Sequence, residues 1–224
     1  MKFGIVVFPG SNCDRDVAYV TRDILKQPTR MVWHEDTDLT DLDVVVVPGG
    51  FSYGDYLRCG AIARFSPVMQ QVVDRAQQGK FVLGICNGFQ ILTEAGLLPG
   101  ALVRNRDLHF ICDRVELKVE RTDLPWTQAY SEGEVINIPI AHGEGRFYAD
   151  KQTLAEIEAN NQVLFRYVGD NPNGSANNIA GICNRQGNVL GMMPHPERAS
   201  DPILGGTDGL KLFQGLLERV AAIA

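Results

Sequence analysis

Apolar residues fall in short runs separated by polar, helix-compatible stretches for the first ninety-five positions. Phe3 to Phe8 reads as a strand, followed by the turn Pro9-Gly10-Ser11-Asn12 and a helix from about Asp14 to Lys26. Arg30 to His34 reads as a second strand. Val44 to Val47 is an unbroken valine run, which suits a central parallel strand covered on both faces. Ser66-Pro67 supplies an N-cap and a first-turn proline for a helix to about Gln78, and Phe81 to Ile85 forms the next strand. Strand–helix alternation of this kind predicts a doubly wound α/β sheet, whose ligands bind beyond the carboxyl ends of its strands.

The pattern changes after about residue 101. Val115–Val119 and Val135–Ile140 alternate or run apolar between turns and read as antiparallel edge strands. Asp150 to Asn160 reads as a helix and Val163 to Val168 as a strand. Ile179–Cys183 and Asn188–Met193 read as a hairpin around Asn184-Arg185-Gln186-Gly187. Gly209 to Ala222 reads as a closing amphipathic helix, with Asp208 as its candidate cap and Gly205–Gly209 as a loop. Neither a repeat nor a linker-like segment divides the chain, so a single domain over 1–224 is expected.

Composition narrows the function. The 224 residues are 45% hydrophobic and 21% charged, ordinary values for a globular protein. A net charge of −6 argues against nucleic acid or an anionic membrane surface as the main partner. No apolar run approaches the ~20 residues of a membrane span. Met1-Lys2 leads into an apolar stretch too short for a secretory signal. Five scattered cysteines (13, 59, 86, 112 and 183), without a Cys-x-x-Cys pair, fit a reducing cytoplasm rather than a disulfide framework or a zinc site.

The chemistry begins at Gly84-Ile85-Cys86-Asn87-Gly88-Phe89-Gln90. A cysteine between glycines at a strand-to-helix junction has the layout of a nucleophile elbow. The glycines are expected to leave room for a sharp turn, and the following helix N-terminus favours a thiolate. A buried structural cysteine is the alternative reading of this segment alone. Far along the chain, Met193-Pro194-His195-Pro196-Glu197-Arg198 follows a strand. Histidine and glutamate two apart in an extended segment face the same side. The carboxylate there fixes the imidazole tautomer and leaves the other ring nitrogen to serve the thiol.

Gly84–Gln90 with His195-Pro196-Glu197 resembles the Cys–His–Glu triad of the class I glutamine amidotransferases, and Pro48-Gly49-Gly50 resembles their oxyanion strand. More narrowly, Phe8–Asp14, Gly49–Arg58 and Ile140–Phe147 resemble the glutaminase subunits of phosphoribosylformylglycinamidine synthase, over nearly the whole length. The resemblance implies a single-domain, flavodoxin-like, mostly parallel sheet with antiparallel edge strands. It implies Cys86 as nucleophile, His195 as base, Glu197 as its orienting acid, and the Gly50 and Asn87 backbone N–H groups as oxyanion donors. It implies a large ATP- and Mg-using synthetase subunit and a small third subunit as partners, with formylglycinamide ribonucleotide as ammonia acceptor. Metal and cofactor are expected to be absent from this chain, which has no Gly-x-x-x-x-Gly-Lys-Ser/Thr phosphate loop.

Several residues carry two readings. Gln90 contacts substrate by resemblance, or lies on an exposed helix surface. Asp55 and Arg58 close over the site, or are solvated loop charges. His142, Glu144 and Arg146, placed in a glycine-rich loop, shape the glutamine pocket or the docking face. Cys13 and Cys59 lack a nearby base and are read as packing residues. Two other functions compete: a dienelactone-type hydrolase, which places its acid well before the histidine, and a non-catalytic chaperone that keeps a reactive cysteine without needing His-x-Glu.

Overall fold

All four residues of the valine run are buried although alternate side chains point to opposite faces, so that strand lies at the centre of a sheet covered on both sides. The structure is a computed structural model and describes residues 1–221. Its strands are β1 (Phe3–Val7), β2 (Thr29–Trp33), β3 (Val44–Val47), β4 (Phe81–Ile85), β5 (Ala101–Val103), β6 (Ile111–Val119), β7 (Val135–His142), β8 (Arg146–Tyr148), β9 (Val163–Tyr167), β10 (Ile179–Cys183) and β11 (Val189–Met192). Its α-helices are α1 (Asp14–Ala18), α2 (Pro67–Gln77), α3 (Asn87–Glu94), α4 (Lys151–Ala159) and α5 (Leu210–Ala221).

Nine strands form one sheet in the order β2-β1-β3-β4-β11-β10-β9-β6-β7. The first five are mutually parallel, and the rest pair antiparallel. The parallel block has the flavodoxin-like order, with β11 in the place of a fifth strand. The expected hairpin is β10–β11, and β11 is what joins the antiparallel half to β4. Strands β5 and β8 make a separate two-stranded ribbon that the hydrophobic pattern did not signal.

Some boundaries moved. β6 starts at Ile111, four residues early, because its outer half carries the exposed side chains of Cys112, Asp113 and Arg114 and is held by pairing with β7 rather than by burial. β7 runs through to His142, so that histidine ends a strand instead of lying in a loop. The first helix changes after Ala18 to a π-helical stretch, Tyr19–Ile24, in which Leu25 N–H reaches back to Val20 O. It stops before Lys26, whose backbone is left-handed. Ser66 stands at the N-cap of α2, but its hydroxyl pairs with Tyr53 OH at 2.8 Å and makes no capping bond. The Asp208 carboxylate accepts Asn137 N–H from β7 at 2.8 Å, tying the start of α5 to the sheet. The expected last helical residue, Ala222, lies outside the described residues.

Candidate active site

Four neighbouring parallel strands, β1, β3, β4 and β11, end on the same rim of the sheet, and each passes into a segment that carries site residues. After β4 the chain turns at Cys86, with φ 51° and ψ −106°, and enters α3. A non-glycine residue in that region is strained, so the strain sits on the nucleophile candidate itself and not on the flanking glycines. Gly84 and Gly88 serve another purpose. A Cβ on Gly84 would meet the Gly88 carbonyl at 2.8 Å, and one on Gly88 would overlap the Val47 carbonyl oxygen of β3. The elbow is therefore pressed onto its neighbouring strand with no room for a methyl group. Cys86 N–H donates to Met192 O at 2.8 Å, which fixes the elbow to the end of β11.

The same strand end delivers the histidine. His195 N–H donates to Pro139 O of β7 at 2.8 Å, and its ring Nδ1 lies 2.6 Å from Glu197 Oε1. Both residues are 1% exposed, and His195 Nε2 is buried without a hydrogen-bond partner. Cys86 and His195 line one cavity of about 390 Å³, and Gly49 lies between them. A Cβ there would stand 2.8 Å from His195 Cε1 and 3.4 Å from Cys86 Cβ. Burial alone would push the imidazole toward its neutral form. The Glu197 carboxylate, with the Cys86 and Cys13 sulfurs, outweighs that and holds its pKa well above the ordinary imidazole range.

Gly50 also borders this cavity, and Asn87 follows Cys86 directly in the chain. The bridge between Ser11 and Gly50 uses the N–H groups of Phe51, to Gly10 O at 3.1 Å, and Cys13, to Gly49 O at 3.2 Å, and leaves that of Gly50 out. Asn87 is the first residue of α3, so its N–H has no acceptor within the helix. Its side chain Oδ1 accepts Ser52 N–H at 3.1 Å, tying the segment after β3 to the elbow. A thiol, a carboxylate-backed imidazole and the Gly50 backbone on one cavity, with the free N–H of Asn87 next to the thiol residue, are the groups needed for acyl transfer through a tetrahedral oxyanion.

Residues 1–205 match the family model described as a CobB/CobQ-like glutamine amidotransferase domain. The chain belongs to that amidotransferase family. A phosphoribosylformylglycinamidine synthase subunit PurQ from Trichormus variabilis is 83% identical over the full length of both chains. The subunit of that name from Acaryochloris marina is 73% identical, covering 99% of this chain and 98% of its own. The solved structure of PurLQS from Thermotoga maritima contains a chain 47% identical, with a TM-score of 0.90 and 98% of each chain covered.

In this amidotransferase the other candidates separate. Gln90 is 4% exposed, which removes the helix-surface reading. Its Nε2 donates to Glu144 O at 2.6 Å and its Oε1 accepts from Asn87 Nδ2 at 2.9 Å. Asp55 lines the cavity and accepts from Asn87 Nδ2 at 3.1 Å; burial raises its carboxyl pKa. Arg58 instead forks onto Glu94 of α3, with both contacts at 2.6 Å, and stays off the cavity wall. His142 and Glu144 are on the wall, whereas Arg146 turns to Gly174 O. His142 Nδ1 lies 3.1 Å from Asn105 Oδ1, an oxygen that also accepts Gly145 N–H, so the ring carries its proton on Nδ1. Burial, helped by the positive charge of His195, lowers its pKa to about 4.

Cys13 and Cys59 are not simply packing residues, because both line the cavity. Burial, followed by the Asp55 and Glu144 carboxylates, drives the Cys59 thiol strongly upward, which keeps it protonated and inert. Cys13 lies against His195 and accepts from Arg198 Nη2 at 3.1 Å. One signal could have found it: Phe8–Asp14 follows the first parallel strand, and such carboxyl-end turns converge at a switch point.

Proposed function

We infer that this chain is the glutaminase subunit of a phosphoribosylformylglycinamidine synthase. It hydrolyses glutamine to glutamate and hands the ammonia to an ATP-dependent synthetase subunit, which converts formylglycinamide ribonucleotide to formylglycinamidine ribonucleotide in purine synthesis. The observation that carries this reading is a cysteine elbow and a glutamate-backed, unpartnered imidazole nitrogen on one cavity. Full-length identity of 83% to a subunit of that name supports it.

Cys86 Sγ attacks the side-chain amide carbon, and the amide oxygen becomes an oxyanion held by the N–H groups of Gly50 and Asn87. Each such donor is worth about 3 kcal/mol in other acyl-transfer enzymes. His195 takes the thiol proton through Nε2 and returns it to the leaving nitrogen, so ammonia departs and a γ-glutamyl thioester remains. Water enters, gives a proton to His195, and releases glutamate and the free thiol. Glu197 holds the ring by Nδ1 throughout. Gln90 shapes the glutamine pocket by fixing the Glu144 segment against α3.

Ammonia reacts only while unprotonated, so a docked partner that receives it through a closed path fits the chemistry. The partners are the large synthetase subunit and a small third subunit, and ATP with Mg²⁺ is used on the synthetase. No cofactor or metal is needed for the steps on this chain. Among the described residues no helix is long and apolar enough to cross a membrane, and a purine-pathway role suits the cytoplasm.

Substituting Cys86→Ala tests the reading in the reconstituted complex. Glutamine-dependent synthesis is expected to vanish, while synthesis from added ammonium salts continues. Loss of both, or of neither, sinks it.

A further inference from the structure

Asp55 and Glu144 both line the cavity that holds Cys86, and the nucleophile's own helix positions both. Asn87 Nδ2 donates to Asp55 Oδ1 at 3.1 Å, and Gln90 Nε2 donates to Glu144 O at 2.6 Å. The two acids are therefore anchored by the first turn of α3, which starts directly after Cys86. They are near enough to act on each other and on one thiol. Burial raises the Asp55 carboxyl pKa and the Glu144 charge adds to it, while both carboxylates help burial keep Cys59 protonated.

The neighbouring cations are turned elsewhere. Arg58 forks onto Glu94, and Arg198, the guanidinium on the cavity wall, is held by Asp16 and the Cys13 sulfur. Arg104 approaches Glu144 only to 3.7 Å, from a largely exposed side chain that is not on the wall. A third group on the wall is an acceptor as well. His142 is 3% exposed and carries its proton on Nδ1, and its Nε2 has no partner. Acceptors left open in a cavity call for a ligand that brings N–H groups and positive charge.

We propose that Asp55 and Glu144 hold the α-ammonium group of glutamine, so that the site selects an α-amino acid amide over other primary amides. An ammonium supplies several N–H donors and one positive charge, which answers both carboxylates and relieves their repulsion. Because Asn87 and Gln90 fix these acids from the helix that begins at the nucleophile, gripping the α-end also sets how far the side-chain amide reaches toward the sulfur. Both acids are positioning residues and exchange no proton with the reacting amide. This inference rests on the glutaminase reading above.

The test compares L-glutamine with glutaramate, the same molecule without its amino group, in the complete complex. Wild type should favour glutamine in kcat/KM by about 10²-fold or more, the effect of two hydrogen bonds to charged groups. Asp55→Asn and Glu144→Gln should each cut that preference by about 10–100-fold, with the change appearing in KM for glutamine. The amide replacement at 55 keeps an oxygen for Asn87 Nδ2, and the Glu144 oxygen that Gln90 holds is backbone, so neither variant removes an anchor. Asp113→Asn, which neutralises an exposed carboxylate off the cavity wall, should keep the wild-type preference. A preference that survives in both variants overturns the proposal, as does a wild type that shows none. Losses that strike glutamine and glutaramate alike also overturn it, since that is what a structural role gives. Should the wild-type complex form no glutamate, the glutaminase reading falls and protection of Cys86 from iodoacetamide decides the α-ammonium site. L-glutamine should then protect better than glutaramate in wild type and no better in the variants; equal protection in wild type overturns the proposal.

Discussion

Gly88 of the elbow helix lies so close to the Val47 carbonyl of β3 that a single added methyl group would overlap its oxygen. That approach carries the Cys86 turn against the segment that begins one residue after Val47, so the spacing between Cys86 and the Gly49-Gly50 backbone is set by a glycine.

Substituting Gly88→Ala should therefore destabilise the fold by about 3 kcal/mol, the upper end for overpacking, since backbone rather than a flexible side chain must move. Denaturant unfolding measures it, and a loss under about 0.5 kcal/mol would mean that the helix can shift freely.

Asn87 should act through its side chain as well as its N–H. Asn87→Ala removes the acceptor of Ser52 N–H and the donor shared by Asp55 and Gln90. Hydrogen exchange at the Ser52 amide should speed up, and kcat should fall by about 10²-fold, near the loss of one oxyanion donor. Unchanged exchange with normal turnover would remove Asn87's side chain from the positioning role.

Glu197→Gln should lower glutaminase kcat by about 10³–10⁴-fold with little change in KM, as loss of the orienting carboxylate does in other triads. The His195 pKa should drop, because burial then acts without the carboxylate that outweighs it. Imidazole chemical shifts against pH, measured by NMR, follow this directly; an unmoved titration would mean that another group sets the ring's charge.

His142 makes the pH dependence of stability predictable. Its folded pKa is about 4 against 6.5 for the free side chain. The unfolded chain binds this proton first as pH falls, so the contribution is complete above pH 6.5 and is lost progressively down to about pH 4. The window corresponds to about 3 kcal/mol. A His142→Gln variant should lose less stability than wild type between pH 7 and 4, in proportion to that figure; equal slopes would show that the ring charges freely in the folded state.

The parallel half of the fold was legible because β1, β3 and β4 are apolar runs punctuated by turn residues, and burial on both faces leaves them no other pattern. The ends of β6 and β7 were not, since pairing between the two strands holds polar residues such as Asp113 and Arg114 without burying them. The β5–β8 ribbon was missed for a related reason: three residues per strand are too few for a periodicity. At the site, the elbow and His-x-Glu stood out because their spacing is local. Gln90 was ambiguous in sequence, and its burial depends on Glu144, which is 54 residues away.

Residue types and local spacing alone determined which groups are available: a cysteine between glycines at a strand–helix turn, a histidine framed by prolines with a glutamate two residues later, and a chain able to cover a parallel sheet. Only the tertiary structure decided who meets whom. Strand order put β11 beside β4 and brought residues 86 and 195 to one cavity, because hydrogen-bonded neighbours in a sheet share an edge regardless of their separation along the chain. It also put Cys13 at His195, a contact between the first loop and the last that no local pattern encodes.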